Sequence, residues 1–449
     1  MELRRVGAID CVYCGFGSAS KIMDFFTYKN GELYCEGVPA ETIAREVGTP
    51  AYIYSKATLL HHYRQVADAF KPVNATICYS IKSCGNINLC RTLAQEGCSF
   101  DVTSGGELYR ALQAGGDPRK MIYAGVGKTD EEIREALKVG IAAFNIESEE
   151  EIENIDAIAG SMGKTAVGAL RVNPDVDAKT HVKTTTGRKG NKFGVDIDRA
   201  EAVFERYRNL KHLRIGGLHL HIGSPVYEIQ PYVDAVTKAI ELIDRLTEHG
   251  HKIEWLDLGG GFAVNYKNPD QALPVTEHAK ALLPLLMGKP YKIALEPGRY
   301  IVGNAGILLT RVLYRKASGS KQFVIVDAGM NDLIRPTLYE SYHFIWPARP
   351  DAANVLDARH EERSPVNGET VDVVGPICES GDYLAKNRPL PRTSRGDLLA
   401  VFTAGAYGFA MSSNYNNRPR APEVLVDGDS YKVIRRRETY EDLVAAERV

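Results

Sequence analysis

The sequence predicts an α/β protein in which a (β/α)8 TIM barrel is combined with a second, mostly-β domain. Between residues 76 and 296, eight short β-rich runs alternate with segments in which apolar residues recur every three or four positions. Eight such units over about 220 residues are the expected size of this barrel. After residue 296, β-branched runs separated by Gly, Pro and Asp turns show little helical spacing, which is typical of a β domain.

The predicted barrel strands are Thr76–Lys82, Phe100–Thr103, Met121–Ala124, Ala142–Ile146, Val167–Asn173, Ile215–Ile222, Ile253–Leu258 and Tyr291–Glu296. The intervening helices that combine helical spacing with a Gly after the last turn are 105–116, 130–140, 150–160 and 229–250.

The N-terminal residues are predicted to join the β domain, because YKNGELYCEGV has the pattern of a hairpin with Asn30 and Gly31 at its turn. The second domain then consists of the C-terminal third of the chain together with this segment. The predicted divisions are 1–46 for the N-terminal segment, 47–299 for the barrel and 300–449 for the C-terminal β domain.

Charge and composition exclude several classes of protein. With 55 Lys and Arg against 57 Asp and Glu, the net charge is −2, without the basic excess that non-specific nucleic-acid binding needs. The first residues lack the apolar stretch of about 7–15 residues found in signal peptides, and no run approaches the roughly 18 apolar residues of a membrane helix. We therefore expect a cytoplasmic protein with no nucleic-acid or membrane partner.

Eight cysteines are too few for a disulfide scaffold, and the single CxxC, Cys11 to Cys14, lacks the second pair of a zinc site.

Polar and ionisable residues collect at the ends of the predicted strands, where a barrel of this kind places its active site. Strand ends adjoin polar loops in any case, so the pattern alone does not separate the two interpretations. The residues concerned are Lys82, Asp101, Asn145, Glu147, Arg171, Asn173, His219, His221, Asp257, Gly259–Gly261, Glu296 and Arg299.

Two of these features suggest a cofactor. Lys82 lies at a strand end, where a desolvated amine of lowered pKa can form a Schiff base with a carbonyl group, although most lysines are surface charges. Gly259–Gly261 directly follow a strand, so their backbone N–H groups could approach a phosphate closely. A tight turn with positive φ would require the same glycines.

Two further features extend this hypothesis. Glu296 and Arg299 flank a Pro-Gly step, and they suit a protonated nitrogen and an anion respectively, although a surface ion pair would look the same. His219 and His221 follow in one strand, but no third His or Cys stands at zinc spacing, so a metal site is less favoured. Together the four features indicate pyridoxal phosphate, which needs a Schiff-base lysine, a phosphate cradle, a partner for its ring nitrogen and a group packed against its ring.

The motifs YSIKS, FDVTSGGEL, HLHIGS, DLGGGF, EPGRY, CESGD and GAYGF occur in this order along the chain. In this respect the chain, from about Gly31 to Val433, resembles the fold-type III pyridoxal-phosphate-dependent decarboxylases, and the diaminopimelate decarboxylases among them. The resemblance implies a carboxy-lyase that converts meso-2,6-diaminopimelate to L-lysine and CO2, the last step of lysine biosynthesis by the diaminopimelate pathway. It also implies a homodimer with active sites at the subunit interface.

The resemblance assigns roles to individual residues. Lys82 anchors the cofactor, His221 stacks on its ring, and Glu296 keeps its ring nitrogen protonated; with Cys378 as proton donor these form the implied catalytic set. Cys378 and Tyr407 are both expected to come from the partner subunit. The implied cofactor-binding residues are Lys82, Asp101, His221, Ser224, Gly259, Gly260, Gly261, Glu296, Gly298, Arg299 and Tyr407. The implied substrate-binding residues are Arg299, Arg335, Tyr339, Glu379 and Tyr407.

Substrate choice depends on Arg335, since an arginine left unpaired in a closed site would cost on the order of a few kcal/mol and therefore selects a carboxylate. The alternatives are a decarboxylase of ornithine, arginine or a carboxylated polyamine on the same fold, and a non-catalytic regulatory homologue. The chain departs from the family at Ser83-Cys84, where Ala-Asn is usual, and at Pro225, where Gln is more common; both bear on fine substrate preference. The basic stretch 179–194 could form an anion site, but a solvated loop after the fifth strand, which would lie over the barrel mouth, is favoured.

Overall fold

The described part of the chain opens with a small antiparallel sheet that leads into one strand of a larger sheet. The computed structural model describes residues 24–178, 191–267, 271–356 and 364–449. The first elements are β1 (Phe26–Lys29), β2 (Glu32–Cys35), β3 (Val38–Pro39), α1 (Ala40–Val47) and β4 (Ala51–Ser55). The predicted hairpin forms, with φ of +53° at Asn30 and +78° at Gly31, the backbone that a two-residue connection requires. Hydrogen bonds from Leu33 N–H to Ala348 O and from Gly37 N–H to Gly428 O join this segment to the C-terminal residues.

All eight predicted barrel strands form, and the prediction of the fold class is confirmed. The strands are β5 (Thr76–Ser80), β6 (Ser99–Val102), β7 (Ile122–Tyr123), β8 (Ala143–Ile146), β9 (Ala166–Asn173), β11 (Leu213–His219), β12 (Trp255–Asp257) and β13 (Lys292–Leu295), with a short β10 (Val195–Asp196) beside β9. Neighbouring strands run parallel in chain order, and β13 pairs with β5 to close the barrel. The carboxyl ends of eight strands therefore share one mouth.

Helices cover the outside of the barrel. They are α2 (Lys56–Ala69), α3 (Ile87–Gln95), α4 (Gly105–Gln113), α5 (Asp130–Val139), α6 (Glu149–Ser161), α7 (Ile197–Arg206), α8 (Gln230–Glu248), α9 (Val275–Leu286) and the short α10 (Arg299–Val302). Five of them begin at a side chain that accepts a hydrogen bond from the first turn: Ser55, Asn86, Ser104, Thr129 and Ser148. Such caps stabilise a helix by about 1 kcal/mol each, and they fix where each strand-to-helix loop ends.

The β domain is built around one long sheet. Its elements are β14 (Gly306–Ser318), β15 (Lys321–Val326), α11 (Arg335–Tyr339), β16 (Ile345–Pro347), β17 (Glu369–Val374), β18 (Tyr383–Leu390), β19 (Leu398–Val401), β20 (Glu423–Asp427), β21 (Ser430–Arg435) and α12 (Tyr440–Val444). The strand order is β18-β17-β15-β14-β4-β20-β21, with β19 also on β14 and β16 on β19.

Strand β4 lies before the barrel in sequence but belongs to the sheet of the C-terminal β domain. It lies within the range predicted for the barrel, 47–299, yet the structure places it between β14 and β20 of the β sheet. All five of its residues are buried, as expected for a central strand. The Ser55 N–H donates to Ala305 O at 2.8 Å, so the residues entering and leaving the barrel lie side by side.

Two observations concern predictions made from composition. Five described cysteines, at 35, 78, 84, 90 and 98, are buried thiols, while Cys378 is exposed. Among the described residues, no helix is both long and apolar enough to cross a membrane. The N-terminal stretch with Cys11 and Cys14, and most of the basic stretch 179–194, lie outside the described residues.

Candidate active site

Lys82 lies at the barrel mouth, just after β5, and pairs with a carboxylate from the next strand. Its Nζ is 2.9 Å from Asp101 Oδ2, which also accepts a 2.7 Å hydrogen bond from the Ser80 hydroxyl. Burial lowers the pKa of Lys82, but the carboxylates of Asp101 and Glu296 outweigh burial and hold that pKa above its ordinary value. The expectation of a lowered lysine pKa is therefore wrong.

Glu296, directly after β13, is held by side chains from two other strands, β8 and β11. Asn145 at the end of β8 donates to Glu296 Oε1 at 2.9 Å and to Asp257 Oδ2 at 3.1 Å. His219 Nε2 lies 3.3 Å from Glu296 Oε2. Burial lowers the pKa of His219 to about 4, so the imidazole is neutral and its Nε2 lies within hydrogen-bond distance of the carboxyl group.

Asp257 and Glu296 hold a proton that isolated carboxyl groups would release near neutral pH. Burial and the charge of Glu296 raise the pKa of Asp257 to about 8. Burial and the charge of Asp101 raise the pKa of Glu296 in the same direction. The site can therefore present a protonated carboxyl group at neutral pH, as acid–base chemistry on a ring nitrogen requires.

A pH-dependent stability follows from this pair. Because the folded chain keeps a proton that the unfolded chain releases, the unfolding free energy contributed by the pair falls as the pH rises from 6.5 to 8. In Asp257→Asn the fall should be smaller, by at most about 1.4 kcal/mol per pH unit. Urea unfolding of the cofactor-free protein at several pH values measures this. Asp244→Asn, at an exposed position on α8, should keep the wild-type slope; an unchanged slope in Asp257→Asn would contradict the assignment.

The backbone of the turn after β12 requires glycine at three successive positions. Gly259 and Gly261 have φ of +68° and +105°. A Cβ on Gly259, Gly260 or Gly261 would lie within 2.2, 2.2 or 2.5 Å of a backbone oxygen. Close backbone packing thus requires all three. The N–H groups of Gly259 and Gly260 donate to Asp257 Oδ1 and His221 Nδ1. Of the triplet, the Gly261 N–H is therefore the one that has no acceptor among the described residues and could meet an anion.

The two histidines predicted as a pair have different partners. His219 bonds to Glu296, whereas His221 accepts the N–H of Gly260 at 3.3 Å. Burial, with the charges of Arg171 and Lys82, lowers the pKa of His221 well below its ordinary value. A neutral imidazole beside Lys82 suits packing against an aromatic ring better than a cation would.

An ion pair closes the wall of the mouth between β8 and β9. Arg171 Nη1 lies 2.8 Å from Glu147 Oε1, and both side chains are buried. Glu147 also accepts the N–H of Gly194, which ties the end of the basic stretch to the barrel. This pair comes from the strand-end residues that the sequence singled out.

Two buried arginines face one tyrosine on the β-domain side of the mouth. Arg299 donates from Nε to Ser224 Oγ at 3.2 Å and from Nη1 to Tyr266 Oη at 2.8 Å. The Arg335 guanidinium lies 4.9 Å from the centre of the Tyr266 ring. Tyr339 follows Arg335 by four positions on α11. Neither arginine has a carboxylate partner among the residues that the structure describes.

Tyr407 approaches the mouth from its own chain. Its N–H donates to Ser83 O at 2.7 Å, and its ring centre lies 4.8 Å from the Arg299 guanidinium. The prediction that Tyr407 arrives from a partner subunit is wrong, because the β domain of the same chain packs against this barrel mouth. Its φ of +56° is unusual for a tyrosine, and strained backbone of this kind clusters at functional sites.

Cys378 and Glu379 lie on an exposed loop after β17. The Cys378 N–H donates to Asn416 Oδ1 at 2.8 Å, and the hydrogen bond and charge of Glu379 raise the pKa of Tyr415. Both residues face away from the core. These described contacts are with the β domain and not with the barrel mouth of the same chain.

Ser83 and Cys84, two of the positions that depart from the family pattern, have structural partners. The Ser83 hydroxyl donates to Ser80 O at 2.7 Å, and the Cys84 thiol lies 3.5 Å from the Tyr54 hydroxyl. Both side chains are buried beneath the mouth. Gly298 packs against Ser80 and Ser83, since a Cβ there would lie 2.9 Å from the Ser80 Cβ.

The residues at the mouth fit pyridoxal phosphate. Three buried polar atoms, Asp101 Oδ1, Asn145 Oδ1 and His219 Nδ1, have no hydrogen-bond partner within the described ranges. Buried atoms of this kind are rare unless a ligand or water meets them. An amine, a protonated carboxyl group and a neutral imidazole around them are the groups that this cofactor requires.

Comparison with known proteins supports the fit to pyridoxal phosphate. Residues 56–303 match the family described as "Pyridoxal-dependent decarboxylase, pyridoxal binding domain". A diaminopimelate decarboxylase of Pseudomonas aeruginosa is 47% identical over 426 residues, covering 95% of this chain and 99% of that one.

Solved structures agree. The diaminopimelate decarboxylase of M. jannaschii in complex with L-lysine is 34% identical, with a TM-score of 0.88 over 95% of this chain and 98% of that one. The Helicobacter pylori enzyme with L-lysine is 38% identical, with a TM-score of 0.84 over 91% and 98%. The chain therefore belongs to the diaminopimelate decarboxylase family of pyridoxal-dependent decarboxylases.

Proposed function

We propose that this protein uses pyridoxal phosphate to decarboxylate meso-2,6-diaminopimelate to L-lysine and CO2, the last step of lysine biosynthesis by the diaminopimelate pathway. The observation that carries this is the pair of buried arginines, Arg299 and Arg335, without a carboxylate partner among the described residues. Ornithine and lysine end in an amine alone, which two guanidinium groups would repel. The distal end of diaminopimelate carries a carboxylate that can meet both.

The residues of this chain divide the work around the cofactor. When bound, pyridoxal phosphate supplies the electron sink for the electron pair left as CO2 departs. Lys82 would hold it, His221 would pack on its ring, and Glu296 would supply the proton at its ring nitrogen. Asp101 keeps the Lys82 amine in place by a 2.9 Å contact. Ser224, the Gly261 N–H and Tyr407 are the proposed phosphate contacts.

The test is a comparison of substrates. The purified holoenzyme should release CO2 from meso-diaminopimelate with a kcat/KM at least about 10³-fold higher than from ornithine, arginine or a carboxylated polyamine. Equal or faster release from one of those would overturn the proposal in favour of another decarboxylase of this fold. No release from any of them would favour a non-catalytic regulator.

We further propose that the enzyme is a homodimer in which Cys378 and Glu379 complete the partner's site. Support comes from their exposure, from the hydrogen bond that joins the Cys378 N–H to Asn416 of the β domain, and from Tyr415, which lies beside them and is 44% exposed. In this arrangement the Cys378 thiol returns a proton to the substrate carbon, and Glu379 meets the distal amino group. Cytoplasmic location stays a prediction from the sequence.

Mixing two inactive variants tests the shared site. Lys82→Ala and Cys378→Ala dimers, each nearly inactive, should regain activity after reassociation, because a hybrid dimer has one intact site. Random pairing gives about half hybrids, so about a quarter of wild-type activity is expected. Mixing Lys82→Ala with Glu296→Gln is the matched control, since both changes fall in the same barrel and that hybrid has no intact site. Equal activity in both mixtures would contradict the proposal.

A further inference from the structure

We propose that Tyr266 and His343 are positioning residues that hold the Arg299 and Arg335 guanidinium groups as one carboxylate-binding pair. They thereby set the preference for ligands that end in a carboxylate over ligands that end in an amine alone. The inference rests on the proposed function and deepens it. Neither residue was singled out by the sequence.

Tyr266 contacts both arginines through different parts of its side chain. Its hydroxyl oxygen accepts from Arg299 Nη1 at 2.8 Å, and its ring face lies 4.9 Å from the Arg335 guanidinium carbon. The oxygen lone pairs and the negative ring face each attract a cation, so one phenol compensates two like charges. Although burial raises the pKa of Tyr266, the two arginines hold it below its ordinary value, which shows how strongly they act on this oxygen.

His343 fixes Arg335 from the other side. Its Nδ1 lies 3.0 Å from Phe402 O, an acceptor, so this nitrogen carries the proton. The other nitrogen, Nε2, must then accept the Arg335 Nε–H at 3.3 Å. Burial, together with the charge of Arg335, lowers the pKa of His343 to about 3, so the ring stays neutral. The ring also packs edge-on against Tyr266, with centroids 5.4 Å apart.

These contacts leave matching donors on the two guanidinium groups. Arg299 uses Nε for Ser224 and Nη1 for Tyr266, which leaves Nη2 without a hydrogen bond to a described residue. Arg335 uses Nε for His343 and Nη2 for the Ser341 hydroxyl, which leaves Nη1. One donor from each arginine corresponds to the two oxygens of a single carboxylate.

The other titratable groups near the pair support this assignment. Tyr227, Tyr407 and Tyr339 act electrostatically on Arg299 or Arg335, and all three are phenols. Within the described part of the chain, no carboxylate forms an ion pair with either arginine. The pair therefore keeps its positive charge for a ligand, and Tyr266 and His343 supply the structural support.

The experiment measures binding of two probes to the holoenzyme by the change in its visible spectrum. L-lysine carries a carboxylate, whereas 1,5-diaminopentane has the same chain without it. Tyr266→Phe keeps the ring beneath Arg335 and removes only the hydroxyl; His343→Leu removes the acceptor of Arg335. Each should weaken L-lysine binding by about 10- to 100-fold and change diaminopentane binding less than about 2-fold. The cofactor band should be unchanged, and kcat should change less than KM.

Controls separate positioning from a general structural role. His343→Gln can reproduce both a donor and an acceptor, so it should restore most of the L-lysine affinity. Tyr314 has an exposed ring whose centre lies 5.3 Å from the Arg395 guanidinium, and Tyr314→Phe should leave the affinity for both probes unchanged. If a variant weakens the binding of both probes equally, the residue has a general structural role and the inference is overturned. Unchanged binding of L-lysine in the variants would overturn it as well. If His343→Leu does not fold, Tyr266→Phe decides, since it removes a single oxygen.

The two proposals fail in different ways. If wild-type enzyme binds L-lysine no better than diaminopentane and acts on ornithine, the proposed function is wrong. If wild-type enzyme strongly prefers L-lysine but the variants keep that preference, only the roles of Tyr266 and His343 are wrong.

Discussion

Replacing Lys82 by alanine should lower the rate of CO2 release by at least about 10³-fold, because the change removes both the amine that anchors the cofactor and a proton carrier. The visible absorption band of the bound cofactor should disappear as well. The fold should persist, since Lys82 lies at the rim of the mouth and its side chain is 36% exposed. Absorption spectroscopy and a CO2-release assay on the same sample measure both effects.

Lys292→Ala is the matched control for this variant. Lys292 begins β13, at the opposite end of the barrel strands, and is exposed. It should keep the band and the rate. A Lys82→Ala protein that retained the absorption band would show that another amine anchors the cofactor.

Replacing Arg335 by methionine should raise KM for diaminopimelate by roughly 30- to 1,000-fold and leave the cofactor band in place. Losing a charge-assisted contact to a carboxylate in a closed site costs about 2–4 kcal/mol. The melting temperature should not fall, because Arg335 is only 5% exposed in the wild-type protein and its charge has no carboxylate partner among the described residues. Steady-state kinetics and thermal unfolding of the holoenzyme test the two parts of the prediction.

Arg395→Met serves as the control, since Arg395 also lies over a tyrosine but on the outer surface of the β domain. It should change neither KM nor kcat. A large fall in kcat for Arg335→Met with KM unchanged would mean that Arg335 acts in the chemical step and not in holding the distal carboxylate.

The barrel could be predicted from the sequence because its signals are local. Strands such as β5 and β9 alternate with helices whose caps, Ser104 and Thr129 among them, stand at the expected positions. The place of β4 could not be predicted in this way. Its run AYIYS is as apolar and aromatic as a barrel strand, and its partners β14 and β20 lie far away in sequence. Long-range pairing leaves no local pattern.

The site was predictable to the extent that it lies at strand ends. Lys82 and Glu296 follow barrel strands and Asn145 lies near the end of β8, and the structure brings the three to one mouth. Tyr266 lies five residues beyond the glycine triplet, outside any regular element, and only a long-range contact shows its role. The pKa of Lys82 was mispredicted, because it depends on the distances to Asp101 and Glu296, which a sequence does not contain.

The chain enters the barrel after Ser55 and leaves it before Ala305, and these two residues are neighbours. The barrel is therefore an insertion within the β domain. The host sheet is completed only when β4, from before the insertion, pairs with β14, from after it. The inserted segment begins and ends within one hydrogen bond, 2.8 Å from N to O. Insertions whose ends lie this close can be excised, circularly permuted or exchanged between relatives without disrupting the fold of the domain that contains them, here the β domain. Cutting the chain before β4 instead would keep the barrel whole and remove a central strand from its host.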